Sequence, residues 1–201
     1  MIRYAITDRG YLIANGRRWF KHGVDFVQLR DKTLDAGELT KLARAILKDI
    51  AEVSGAKTML LINGRADVAV AVGAAGVHLT AHPDELTPKQ VRRVFAIAAR
   101  SAPVISVSCH TIEEVQRACA AGVDLILFGP VFEKRVAGEQ IATGVGLEAL
   151  QTACVAAGEI PVLALGGVTA ENIEDCLRAG AKGVAGIRLF GEQGRILERR
   201  W

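Results

Sequence analysis

The side chains best suited to gripping an anion stand at four places, each at the end of a short apolar run. In Val27-Gln28-Leu29-Arg30-Asp31-Lys32, the residues Gln28, Arg30 and Lys32 alternate with their neighbours, so an extended backbone puts all three on one side. Arginine brings a two-pronged donor and lysine a mobile point charge, the combination expected for a phosphate or diphosphate. In Leu61-Ile62-Asn63-Gly64-Arg65, Asn63 both donates and accepts and so suits the edge of a heterocycle, although the same Asn-Gly spelling also makes a turn with Asn as a helix cap. Ser108-Cys109-His110 sets a thiol beside an imidazole, yet neighbours at a strand end point to opposite sides, so they do not form an internal dyad. Ser108 is read as a hydroxyl donor to an anion, Cys109 as packing, and His110 as part of the turn before Thr111. Leu165-Gly166-Gly167-Val168-Thr169 and Val184-Ala185-Gly186-Ile187-Arg188 place glycines where main-chain N–H groups can approach a phosphate, with the amino end of a short helix from Leu189 aimed at it. His78, inside Val77-His78-Leu79-Thr80, reads as a hydrogen-bonded core residue.

The elements that must hold these residues are announced by an internal repeat. Four times a helical stretch stops at a glycine and a short apolar strand follows at once: at Gly23, Gly73, Gly122 and Gly180, spaced by about 50 residues. Glycine takes the left-handed conformation that ends a helix and turns the chain into the next strand. Each interval has room for two strand and helix units, and the remaining strands fall at Ile2 to Thr7, Thr58 to Ile62, Pro103 to Val107 and Ile160 to Leu165. Between them lie helical spacings, such as Leu39, Leu42, Ala43, Ile46, Leu47 and Ile50, or the helix opened by Thr111-Ile112-Glu113-Glu114. Strict alternation of buried strand and amphipathic helix makes a parallel sheet, and eight strands with quarter-repeat symmetry point to a single (β/α)₈ barrel over residues 1–201 rather than an open doubly wound sheet. In such barrels the reactive groups sit at the C-terminal ends of the strands. One connection, Gly129 to Thr143, is far longer than the rest and suits a lid or binding loop.

Composition narrows the partners. The 201 residues are 50% apolar but only 5% aromatic, material for a core of Ala, Val, Leu and Ile. A net charge of +3, from 25 basic and 22 acidic residues spread along the chain with a dense basic run only around Arg195, Arg199 and Arg200, does not indicate nucleic acid; so mild a balance suits an anionic small molecule but is more simply that of an ordinary cytosolic protein. No stretch approaches the roughly 20 apolar residues of a membrane span, and Met1-Ile2-Arg3-Tyr4 leads into a strand without a signal-peptide layout, so the cytoplasm is the expected location. Cys109, Cys119, Cys154 and Cys176 form no close pair and are expected as reduced thiols, without zinc or a disulfide framework. A homo-oligomer is compatible with the sequence.

The motifs Gln28-Leu29-Arg30-Asp31-Lys32, Asn63, Gly76-Val77-His78-Leu79, Ser108-Cys109-His110-Thr111, Phe128-Gly129-Pro130-Val131-Phe132, Gly146-Leu147 and Ala164-Leu165-Gly166-Gly167-Val168 occur in an order and spacing that resemble the thiamine phosphate synthases and the related thiazole tautomerases. The resemblance spans nearly the whole chain. It implies an enzyme of thiamine biosynthesis that couples hydroxymethylpyrimidine diphosphate with thiazole phosphate, giving thiamine phosphate and pyrophosphate. It also implies residue roles: Arg30, Lys32, Ser108 and Lys134 as the catalytic set, Gln28, Arg30 and Lys32 on the diphosphate, Asn63 on the pyrimidine, Ser108 on the departing pyrophosphate, and Gly167, Ile187 and Arg188 on the thiazole phosphate. Two positions depart. The synthases hold Mg²⁺ with an Asp directly after the position of Asn63 and another shortly after that of Leu79. Here Gly64 and Thr80-Ala81-His82-Pro83-Asp84 stand there, and Asp84 reaches the second position only if the loop shifts. The tautomerases carry a histidine where this chain has Pro130, which leaves Glu133 or His78 as proton carriers. Synthase, thiazole phosphate tautomerase, and a catalytically silent barrel that binds a thiamine-related phosphate as a regulator all stay open at this point.

Overall fold

A computed structural model describes residues 1–80, 82, 84–136, 139–191 and 196–198; within these, the side chains of Ile13, of 134–136, of 139–142 and of Glu198 are left aside. Eight parallel strands close into a barrel: β1 (Ile2–Thr7), β2 (Phe26–Leu29), β3 (Met59–Asn63), β4 (Gly76–Leu79), β5 (Val104–Cys109), β6 (Leu125–Phe128), β9 (Val162–Leu165) and β10 (Gly183–Gly186). Each pairs with its sequence neighbours around the ring, and closure is made by β1 against β10, with Ile2 opposite Gly183. The helices between them are α1 (Arg9–Lys21), α2 (Ala36–Glu52), α3 (Ala66–Val72), α4 (Pro88–Ile97), α5 (Ile112–Ala120), α6 (Gly146–Ala157) and α7 (Ile173–Arg178). The expected (β/α)₈ barrel is the fold found, and the four repeat glycines, 23, 73, 122 and 180, all take the left-handed conformation that the helix stop demands.

The helices form where capping and periodicity coincide. Asp35 and Glu38 make a reciprocal capping box at the start of α2, whose Leu39, Ala43 and Ile46 are buried on one stripe. Thr111 caps α5 by accepting from the Glu114 N–H, while the Glu114 carboxylate turns back to the His110 N–H. Two cores result. One lies between strands and helices, with Trp19, Ile46, Ile62, Phe128 and Phe190 among its members. The smaller one fills the barrel itself, with Tyr4, Phe26, Leu61, Leu127, Leu163 and Ala185 converging from six strands.

Four local expectations are revised. The barrel's fifth strand runs on to Cys109 rather than stopping at Val107, and its seventh begins at Val162 rather than Ile160. The long connection carries a small antiparallel hairpin, β7 (Lys134–Val136) with β8 (Glu139–Ala142), which sequence did not announce because segments so short and polar carry no apolar alternation. The short helix expected from Leu189 is instead a turn at Leu189 and Phe190, held down where the fully buried Trp19 ring donates from Nε1 to the Phe190 carbonyl at 2.9 Å. The next helical turn among the described residues is a 3-10 helix, Ile196–Glu198, and Ile196 lines the same cavity as Ile187 and Arg188.

Candidate active site

Alternation along the strands decides which residues reach the barrel mouth. Tyr4, Phe26, Leu61, Leu163 and Ala185 face the interior, so the residues two places further on in each case, Ile6, Gln28, Asn63, Leu165 and Ile187, continue that face toward the C-terminal rim. Together with Arg30, His78, Thr80, Ser108, His110, Gly166, Gly167 and Arg188 they line one cavity of about 1020 Å³. That volume matches the upper range of small-molecule sites.

The cavity floor is a polar layer above the apolar barrel core. The Gln28 amide donates to Asn63 Oδ1 at 2.8 Å, across the β2–β3 pairing. Gln28 is only 1% exposed, and its Oε1 is a buried acceptor without a hydrogen-bond partner among the described residues. An orphan acceptor of this kind is costly unless a ligand donor meets it. Beside it, His78 stands between two serines of β5: Nδ1 lies 2.9 Å from Ser106 Oγ and Nε2 lies 3.0 Å from Ser108 Oγ. Tyr4 OH joins from across the barrel, 2.9 Å from Ser106 Oγ and 3.3 Å from His78 Nδ1. Burial, helped by the Arg30 cation, drives the His78 pKa from 6.5 down to about 3, so the ring is neutral at physiological pH. Burial also raises the Tyr4 phenol well above its ordinary value.

Positive charge and open amides ring the walls. Arg30 and Arg188 line the cavity, and neither guanidinium has an ion-pair or side-chain hydrogen-bond partner among the described residues. The N–H groups of Gly167, Val168, Ile187 and Arg188 likewise donate to no described residue. These amides lie on adjacent loops, since β9 and β10 are neighbours in the sheet. Glycine at 167 is required by packing as much as by any ligand. Its φ is +65°, and a Cβ there would stand 2.6 Å from Phe132 Cβ and 2.8 Å from the Glu133 carbonyl oxygen. The start of the long loop presses on this turn through the Val131 and Phe132 N–H groups, which bond the Leu165 and Gly166 carbonyls.

The structure thus brings Gln28, Arg30, Asn63, Ser108, Gly167, Ile187 and Arg188 to one cavity. Lys32 is not among the lining residues. β2 ends at Leu29, and the Asp31 carboxylate accepts from the Thr33 N–H and hydroxyl, bending the chain before alternation carries Lys32 to the mouth. The Lys134 side chain falls outside the described residues. His110 was read as turn only, yet it lines the cavity: 106, 108 and 110 share one parity, the signal that places Ser108. Its Nδ1 contacts the Gly129 carbonyl, which can only accept, so Nδ1 is the donor of that hydrogen bond.

The residues present do not fit a divalent cation. Among the described residues no three Asp, Glu, His or Cys side chains converge on a point. Gly64 offers no carboxylate; Glu85 lies against it but bonds Thr80 and does not line the cavity. Asp84 is an exposed side chain beside His82.

Comparison with known proteins gives a consistent result. A family model described as thiamine monophosphate synthase matches residues 3–190. A protein of Aquifex aeolicus with the provisional name thiamine-phosphate synthase 2 is 38% identical over 194 residues, covering 94% of this chain and 97% of its own. The thiamine-phosphate synthase of Methanoculleus marisnigri is 36% identical over 190 residues, covering 94% and 82%. Among solved structures, the thiamine phosphate pyrophosphorylase of Pyrococcus furiosus superposes with a TM-score of 0.78 at 27% identity, over 96% of this chain and 89% of that one.

Proposed function

Since the chain belongs to the thiamine monophosphate synthase family, we propose that it joins a pyrimidine methyl diphosphate to a thiazole phosphate, acting as one barrel unit in the cytoplasm. The observation that carries this reading is one cavity lined both by Arg30 and Ser108 and by the amides of Gly167, Val168, Ile187 and Arg188, which donate to no described residue; each set suits an anion. Two phosphorylated reactants need two such sets. In the reaction the methylene carbon to oxygen bond breaks with its electron pair leaving on pyrophosphate. The lone pair of the thiazole nitrogen then forms the new carbon to nitrogen bond. Arg30 and the Ser108 hydroxyl stabilise the charge that gathers on the leaving oxygen. Gln28 and Asn63 form an amide pair whose orphan acceptor, Gln28 Oε1, suits the exocyclic amine of a pyrimidine. Gly167, Ile187 and the Arg188 guanidinium hold the thiazole phosphate. No step is routed through a metal ion, because among the described residues no group of three carboxylate, imidazole or thiol side chains stands ready to hold one.

The test is incubation with both substrates, with Mg²⁺ and separately with chelator, reading thiamine phosphate by chromatography after oxidation to its fluorescent form. Product is expected; its absence with the ion present overturns the assignment. A thiazole phosphate tautomerase is the second reading, favoured by one observation: His110 is tied through Nδ1 to Gly129, beside Pro130, and its Nε2 has no partner among the described residues. Isomerisation of the non-aromatic thiazole phosphate, lost in His110→Gln, would support that reading.

A further inference from the structure

We propose that His78 is a positioning residue: the Tyr4 and Ser106 hydroxyls beneath it lock its ring in the form protonated on Nε2, and that proton turns the Ser108 hydroxyl outward as an obligate donor to the anion in the cavity. The inference deepens the synthase reading, on which the identity of that anion as a departing pyrophosphate rests.

The argument is a count of protons. Tyr4 and Ser106 are fully buried, and among the described residues their hydroxyls have no hydrogen-bond partners other than one another and His78 Nδ1. Each hydroxyl carries one hydrogen that must find an acceptor, since a buried O–H left unmatched forfeits about as much as a broken hydrogen bond. If Tyr4 donates to Ser106 Oγ, the Ser106 hydrogen can go only to His78 Nδ1. If Tyr4 instead donates to Nδ1 directly, Nδ1 is again an acceptor. In the remaining arrangement, with the hydrogen on Nδ1, the ring donates downward and one of the two hydroxyl hydrogens has nowhere to go. Every arrangement that satisfies the buried donors therefore leaves the Nδ1 lone pair occupied.

A neutral ring has a single N–H, and the charged and titratable groups facing this one are the Tyr4 phenol from β1 and the Arg30 cation beyond the end of β2. Burial and that cation keep the ring neutral. Its hydrogen then sits on Nε2 and is donated to Ser108 Oγ, 3.0 Å away. With its oxygen accepting from the ring, and no other partner among the described residues, Ser108 directs its own hydrogen toward the cavity. The hydroxyl so held favours an anion over a cation or a donor, and its orientation is set before the ligand arrives.

Two measurements test this. Nitrogen-15 NMR of histidine-labelled protein separates the tautomers, with the signal among the four histidines assigned by its loss in His78→Gln. The hydrogen is expected on Nε2 at every pH from about 5 to 8; a hydrogen on Nδ1, or a ring that titrates in that range, overturns the proposal whether or not the protein is a synthase. The second is kinetic: His78→Leu and Ser108→Ala are each expected to slow turnover roughly tenfold to a hundredfold, the worth of one hydrogen bond to a charged group. The double variant should be no slower than the worse single. His78→Gln, whose amide nitrogen replaces Nε2, should recover most of the loss. Additive losses, or no recovery with Gln in a folded protein, count against it. Should the wild type form no product, inorganic pyrophosphate binding by calorimetry replaces turnover as the readout. Failure of the synthase reading and of this one are then told apart.

Discussion

Gly167 is the position where packing, backbone strain and ligand binding meet, and replacing it by alanine separates them. Its φ of +65° is unfavourable for any side chain, which costs about 1–2 kcal/mol. The new Cβ would also fall 2.6 Å from Phe132 Cβ, 2.8 Å from the Glu133 carbonyl oxygen and 2.9 Å from that of Phe132, all well inside van der Waals contact at about 3.5 Å. Two of these neighbours are backbone atoms of a segment tied to Leu165 and Gly166, so relief means moving the loop, an overpacking cost of about 1–3 kcal/mol. The sum, about 2–5 kcal/mol, compares with Gly122→Ala, where φ is +70° but nothing lies within 4 Å and only the strain applies. Urea denaturation of the two variants reads the difference, and thermal unfolding should show it as about 2–4 °C per kcal/mol for a domain of this size. Phosphate affinity should fall in Gly167→Ala and hold in Gly122→Ala. Equal destabilisation by the two substitutions would refute the claim that the loop at 130–133 dictates glycine at 167.

Other predictions follow from the charges and thiols. Arg30→Ala should weaken inorganic pyrophosphate binding about 10- to 100-fold, the scale of one charge-assisted hydrogen bond, and unchanged calorimetric affinity would remove the residue from the site. His78 has its pKa lowered in the fold, so the unfolded chain takes up the proton first as pH falls. Its contribution to stability is complete above about pH 6.5 and drains away toward pH 3, at up to about 1.4 kcal/mol per unit. Urea midpoints between pH 7 and pH 4 should therefore fall less steeply in His78→Gln than in the wild type. Burial pushes the Cys109 thiol up to about 12 and the Cys176 thiol to about 11. Alkylation followed by mass spectrometry should mark the half-buried Cys119 and Cys154 first, reaching Cys109 and Cys176 only on unfolding.

Much of the site was legible because a barrel makes function local to strand ends. Once the strand containing Leu61 was placed, Asn63 had to stand at the rim on the same face, and the same parity fixed Gln28 and Ser108. The rule fails where the strand stops. Lys32 shares the parity of Gln28 and Arg30, but the backbone is no longer extended beyond Leu29, and parity has no meaning in the bend that Asp31 makes. His110 shows the converse error: the alternation used to exclude a pair with Cys109 also aims it with Ser108, and β5 stays extended just far enough for that to hold.

The sequence by itself determined the periodic features: where glycine ends each helix, which runs are buried strands, and therefore eight parallel strands with their chemistry at one rim. These are properties of neighbouring residues, set by backbone sterics and by burial with a period of two or 3.6 residues. Only the tertiary structure decided what faces what across the barrel. Tyr4 meets Ser106 over a separation of 102 residues and His78 over 74. The Pro130 to Glu133 segment chooses glycine at 167 by lying on it. Such contacts come from closing the sheet on itself, a condition on strand number and register around the whole ring that no local pattern records.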